Sequence, residues 1–238
     1  IEMKKTRAMF ALAIAALLVL STAFGVFAQD EDSQEGAVEP AVRSEVDALV
    51  EYFDKYFNEK LEQYNIPGLA YALVSDGEIV ARGYGFANID QGIGVDPNIT
   101  LFPMEDLAKV LTATAVLQLA ETKAVDLDAD VNKYLSGFSV SNQYPRPVTL
   151  RSILTHTTGF AESRLGVYTD SLDKLRPLKE YLADNAPIQI YPPGKTSTYG
   201  DYGYGIAGLV IEEVSKIWFT DYMQQRLLRP LAMNNTSF

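Results

Sequence analysis

The sequence predicts an α+β fold from three observations. Apolar residues recur at helical spacing between Val42 and Tyr64. Two short strand-forming runs then flank an Asp-Gly turn at residues 76–77. From Asp106 onward the pattern is helical again in segment after segment. No stretch repeats with a solenoid period. The expected architecture is one helix, one hairpin and a large helical region.

Each element has a local reason. Val46, Leu49, Val50, Phe53, Phe57 and Leu61 form one apolar stripe, and Ile66-Pro67-Gly68 stops that helix. Leu69–Ser75 and Glu78–Phe86 read as strands, because Asp-Gly is a strong two-residue hairpin signal. Gly83 and Gly85 predict a bend or bulge near the end of the second strand. Gly92–Asn98 reads as a loop. Asp106–Thr122 reads as a helix in near-continuous apolar company, buried on most sides. Further helical segments are Val131–Leu135, Thr149–Thr155 with Thr149 as N-cap, Pro177–Asn185, Tyr202–Lys216 and Phe219–Leu228. Two strands alone make a marginal sheet, and nothing after Phe102 reads as a strand. The sheet is therefore expected to be incomplete, with the domain (residues 42–238) truncated at its C-terminus.

The 238 residues are 47% apolar and 21% charged, an ordinary globular composition. A net charge of −11 argues against nucleic acid as a partner. The absence of cysteine excludes disulfides, thiolate metal sites and a Cys nucleophile, and the single histidine, His156, excludes a His-rich metal site. No metal or organic cofactor is implied. The acidic run Asp126, Asp128, Asp130 lacks the glycine and terminal glutamate of a calcium loop and reads as solvated surface.

Lys4, Lys5 and Arg7 precede an apolar run from Ala8 to Ala28 that ends in small residues, the pattern of a secretory signal. Residues 1–28 are therefore expected to direct export to the periplasm or the exterior, with an uncleaved membrane anchor as the alternative. Residues 29–41 are acidic and poor in apolar side chains, and read as a flexible linker. An exported, acidic, cysteine-free chain is compatible with a bacterial cell envelope.

Four segments carry the chemistry. They are Leu101–Ala113, Leu150–Phe160, Pro192-Pro193-Gly194 with Tyr199-Gly200-Asp201, and Arg229–Phe238. In this order and spacing the chain resembles the β-lactamase-related serine hydrolases, which include class C β-lactamases, D-alanyl-D-alanine carboxypeptidases and related esterases. The resemblance runs from about Val46 to Phe238. It implies a β-lactamase/transpeptidase-like fold. It also implies hydrolysis of an amide or ester through an acyl-enzyme, with a small-molecule or peptide acyl substrate in a cleft. The family's active helix opens with Ser-x-x-Lys, where the lysine sits one turn from the serine and relays its proton. A Tyr-x-Asn motif adds a phenol and an amide.

On that pattern Lys109 falls on the lysine and Tyr199 on the tyrosine. Asp106 stands at the nucleophile position and Asp201 at the asparagine position. The late Lys/His-Thr-Gly strand has no counterpart. His156-Thr157-Thr158-Gly159 matches a different family segment, a helix end near the cleft; with no carboxylate partner in its segment, His156 reads as a structural histidine and not a base. A carboxylate at residue 106 would pair with Lys109 at i, i+3. That pairing keeps the lysine protonated and unable to accept a proton. Asp106 also has a structural reading, as an acid in a helix's first turn. Ser171-Leu172-Asp173-Lys174 is a literal Ser-x-x-Lys, but it lies in a polar stretch without an apolar helix behind it, so it is read as coincidental.

Two functions of different class follow. One is an exported hydrolase of this family, inactive as written because Asp106 replaces the serine. The other is a non-catalytic relative that keeps the pocket for binding or scaffolding. The extra charges of Asp106 and Asp201 disfavour carboxylate-bearing substrates such as penicillins or D-Ala-D-Ala peptides.

Overall fold

The computed structural model describes residues 40–162, 168–169 and 171–238. The predicted export segment 1–28 and residues 29–39 of the predicted linker lie outside the described residues. The chain divides into two compact units at residue 101.

In the first unit, helix α1 spans Pro40–Tyr64. It begins two residues ahead of the predicted Val42, because a proline is tolerated in a helix's first turn, where its missing N–H has no intrahelical partner. Strand β1 (Gly68–Ser75) pairs antiparallel with β2 (Glu78–Asn88) in unbroken register from Gly68↔Gly85 to Ser75↔Glu78. Asp76 and Gly77 both take positive φ (48° and 84°), as a twisted two-residue hairpin requires. Phe53 and Phe57 of α1 pack on Tyr71 of β1, with ring centroids 5.3 and 5.4 Å apart. Tyr84 of β2 donates its hydroxyl hydrogen to Asp54 of α1. The helix is thus fastened to one face of the hairpin.

Within the predicted loop 92–98 the structure holds a third, two-residue strand, β3 (Ile93–Gly94), antiparallel to β2. Its shortness explains why no alternation announced it. The expected irregularity of β2 falls between Phe86 and Asn88, opposite β3, while its pairing with β1 stays regular. The strand glycines admit close backbone approach: a Cβ at Gly83 would lie 2.4 Å from the carbonyl oxygen of Val95, and one at Gly85 2.3 Å from that of Pro67.

The second unit is helical. Its elements are α2 (Leu107–Glu121), a 3₁₀ turn (Val131–Tyr134), α3 (Leu150–Leu154), a second 3₁₀ turn (Leu172–Lys174), α4 (Leu178–Asp184), α5 (Tyr202–Ser215) and α6 (Phe219–Met223), which runs into a π turn (Gln224–Leu228). Helix α5 is its axis. Ile206, Ala207, Leu209, Val210 and Ile211 are buried there among Ala115 and Val116 of α2, Ile153 of α3 and Leu182 of α4. Full burial stabilises each large aliphatic side chain by about 1.5–3 kcal/mol.

Helix α2 departs from expectation. It buries Thr112, Ala115, Val116 and Leu119, whereas Leu107, Val110 and Leu117 are exposed. Within its unit its helical neighbours (α5, α6 and the π turn) cover one side only. The predicted cap of α3 is present as a reciprocal capping box: Ser152 N–H donates to Thr149 Oγ1 (3.1 Å) and Thr149 N–H donates to Ser152 Oγ (3.0 Å).

The carboxylates of the acidic loop serve local structure. Asp128 takes a bidentate pair from Arg151 (2.7 and 2.8 Å). Asp130 accepts from Asn132 N–H at 2.9 Å. Asp126 accepts from Asp128 N–H at 2.9 Å.

Candidate functional site

The site forms where three chain segments of the second unit meet. The first is the start of α2. Glu105 takes a left-handed conformation (φ 45°) and turns the chain into the helix at Leu107. Asp106 occupies the N-cap position but its side chain makes no capping bond. It reaches forward one turn to the ammonium of Lys109, the i, i+3 ion pair that the spacing predicts.

The second segment follows α3. His156 sits beyond the helix end at φ 53°. The third is the loop entering α5. It is laced to the second by backbone hydrogen bonds: Thr198 N–H donates to the His156 carbonyl at 2.6 Å and Gly194 N–H to the Thr157 carbonyl at 2.7 Å. Ile190 and Tyr191 N–H both donate to the Gly159 carbonyl, at 2.7 and 3.2 Å. Gly159 N–H in turn donates to Thr198 Oγ1 at 3.0 Å. This lacing delivers Asp201 and Tyr199, the latter 90 residues away in sequence, to Lys109.

All four sequence-predicted residues meet at one point. Besides Asp106, the Lys109 ammonium contacts Asp201 Oδ1 at 2.5 Å and donates to Tyr199 Oη at 3.1 Å. It also stands 4.8 Å from the centroid of the Tyr199 ring. The lysine side chain is 13% exposed, against 71% for Asp106 and 37% for Asp201. Burial works against the charge on Lys109, but the bonds to Asp106, Asp201 and Tyr199 outweigh it and hold the pKa above the ordinary lysine range. The ammonium is therefore locked on.

His156 packs its ring on Tyr199 (centroids 4.3 Å) and Tyr204 (5.1 Å), and its Nδ1 faces Gly200 N–H at 3.5 Å. Burial and then the Lys109 charge lower its pKa against the pull of Asp201, Asp106 and Glu162. Burial thus favours the neutral imidazole, whose ring buttresses the tyrosine.

Two participants escaped the sequence reading. Tyr204 lies with Tyr199 and Tyr202 in a glycine-rich run, where nothing in the sequence singles it out. Glu162 had no signal at all, yet its Oε1 accepts the Asp201 N–H at 2.9 Å. The literal Ser-x-x-Lys at 171–174 forms a 3₁₀ turn in which Ser171 donates its hydroxyl hydrogen to Asp173.

The raised lysine pKa fixes the sign of a stability effect. A group whose pKa rises on folding stabilises the fold below its unfolded value, 10.5 here, and stops doing so only as pH climbs through the folded value. Lys109→Met is therefore expected to cost about 1–2 kcal/mol, a modest figure because both acids are partly solvated. The cost should be equal at pH 7 and pH 9 and shrink only in strong alkali. Urea denaturation of both proteins at pH 7, 9 and 11.5 checks this; a cost already fading by pH 9 would contradict the ion-pair account.

A lysine in the first turn of a half-buried helix, facing a tyrosine from a Tyr-x-Asp loop, on an α+β scaffold, is the arrangement expected of the β-lactamase/transpeptidase class of fold. The Beta-lactamase family matches residues 53–238, and the chain belongs to that family. It is 28% identical over 186 residues to penicillin-binding protein 4 of Amycolatopsis lactamdurans, a match covering 78% of this chain and 48% of that protein. It is 26% identical over 189 residues to protein flp of Staphylococcus aureus (strain N315), covering 78% of this chain and 37% of the relative. Among solved structures, the octameric penicillin-binding protein homologue from Pyrococcus abyssi superposes with a TM-score of 0.67 at 26% identity, over 78% of this chain and 43% of that one. The chain thus spans less than half the length of these relatives.

Proposed function

We propose that this chain is an exported β-lactamase-related protein that has lost acyl transfer and uses its lysine site for binding. The observation that carries this reading is the closure of the Lys109 ammonium on Asp106, Asp201 and Tyr199. Acyl transfer in this family needs a hydroxyl nucleophile and a base able to take its proton. Here the nucleophile position holds a carboxylate, whose attack on an acyl donor gives an unstable mixed anhydride. The same carboxylate, with Asp201, keeps the lysine charged and unable to act as a base. Export is supported by the basic, apolar and small-residue order of residues 4–28.

The test is covalent labelling. The purified chain is incubated with a fluorophosphonate and with a fluorescent penicillin and read by intact mass. No adduct is expected with either. A stoichiometric adduct on a serine or on Asp106 would overturn the proposal.

A further inference from the structure

Asp201 occupies the N-cap position of α5, yet its side chain makes no capping bond. The carboxylate is turned out to Lys109 instead. An N-cap acid ordinarily accepts an N–H from the first turn of its helix, and in a capping box the side chain three residues on accepts the N-cap N–H in return. That third residue here is Tyr204, whose hydroxyl donates to the Leu154 carbonyl at 3.2 Å. The reciprocal acceptor comes from outside the helix. Glu162 Oε1 takes the Asp201 N–H at 2.9 Å, from 39 residues away in sequence.

Both sides of this contact are shaped for it. Glu162 Oε2 lies against Gly200, where a Cβ would stand 2.0 Å from that oxygen and 2.7 Å from the carboxyl carbon. Residue 200 thus seats the carboxylate by having no side chain. The chain just before Glu162 is itself fixed, since Ala161 N–H donates to the Ile188 carbonyl at 2.8 Å. The turn that carries Tyr199 has few other holds. Thr198 N–H is bound by the His156 carbonyl at 2.6 Å, and α5 begins its own bonding with Gly205 N–H on the Asp201 carbonyl at 3.0 Å. Between them, among the described residues, Gly200 N–H only faces His156 Nδ1 at 3.5 Å, and the short bond is the one to Glu162.

We infer that Glu162 is a positioning residue of the lysine site: by holding the Asp201 N–H it fixes the turn from Tyr199 to Asp201 that sets the phenol and the carboxylate on Lys109. Among the described residues no bond joins Glu162 to Lys109, so it acts through the backbone of Asp201. This role holds whether or not the chain transfers acyl groups.

The test reads how firmly the ammonium is held. The full chain is treated at pH 9 with N-acetoxysuccinimide, and acetylation of Lys109 is followed by peptide mass spectrometry. Lys179, paired with Glu213 at 3.1 Å away from this site, is the internal reference. A lysine gives up its proton and reacts more readily once a carboxylate partner leaves it. Glu162→Ala should speed acetylation of Lys109 about fivefold and leave Lys179 unchanged. Glu162→Gln keeps the acceptor without the charge, and should stay within about twofold of the unaltered chain. Gly200→Ala is the second variant: its Cβ displaces the flexible end of Glu162 without altering any charge, and should match Glu162→Ala. The two together should do no more than either alone, because they break one contact. A Lys109 rate unmoved by either alanine variant, or a glutamine variant as fast as the alanine one, would overturn the positioning role. So would a parallel rise at Lys179, which marks loosening of the whole unit. A fluorophosphonate adduct on the unaltered chain would overturn the loss of acyl transfer and leave the positioning role intact.

Discussion

A chain carrying both Asp106→Ser and Asp201→Asn is expected to acquire a single fluorophosphonate adduct at residue 106, where the unaltered chain acquires none. The first substitution supplies a hydroxyl one helical turn from Lys109 and removes one of its two carboxylate partners. The second replaces the partner at 2.5 Å with an amide that accepts a hydrogen bond but no longer favours the charged lysine. Tyr199 Oη stays 3.1 Å from the nitrogen as a further proton relay. Asp106→Ser alone should label more slowly, because Asp201 still holds the proton on Lys109. General-base assistance contributes about 10²–10⁴ in rate, so the two variants should differ by at least about tenfold in labelling rate. Adding Lys109→Met to the double variant should abolish the adduct. Labelling that survives loss of the lysine would mean that Lys109 is not the base, and the site assignment would fall.

How much of this could be read from the sequence depends on how local each feature is. The Asp106–Lys109 pair was legible, since both residues lie within one helical turn and the spacing alone puts them on one face. So were the hairpin at Asp76-Gly77 and the Thr149 cap, each set by two to four residues. Tyr199 and Asp201 were legible only through the family resemblance, because no periodicity links them to a lysine 90 positions earlier. Glu162 was not legible. Its role comes from the absence of a side chain at Gly200 and the direction of the Asp201 N–H, both products of tertiary folding. The two-residue strand Ile93–Gly94 is too short to alternate. The one-sided burial of α2 was hidden for a different reason: a helix apolar all round carries no mark of which face its neighbours cover.

Gly159→Ala is the stability change with the largest expected effect, because two independent costs coincide there. Gly159 sits at φ 79°, a left-handed conformation that costs an alanine about 1 kcal/mol. A Cβ would also stand 1.9 Å from the carbonyl oxygen of Tyr191, a backbone atom with no rotamer to move away. Relieving that overlap must spread the segment His156–Phe160 from residues 189–198 and break the bonds that the Gly159 carbonyl accepts from Ile190 and Tyr191 N–H. The expected loss is about 3 kcal/mol or more, a fall in melting temperature of roughly 10 °C for a domain of this size. Gly137→Ala is the control in the same unit. It has a similar φ of 62°, but its nearest neighbour is the flexible end of Lys179 at 3.4 Å, so it should lose only about 1 kcal/mol. Thermal denaturation of both variants separates the two costs. Equal losses would show that the conformation of Gly159, rather than its contact with Tyr191, holds the two segments together. A larger loss at Gly159 should also release Tyr199 from Lys109, since the same lacing carries the tyrosine to the lysine.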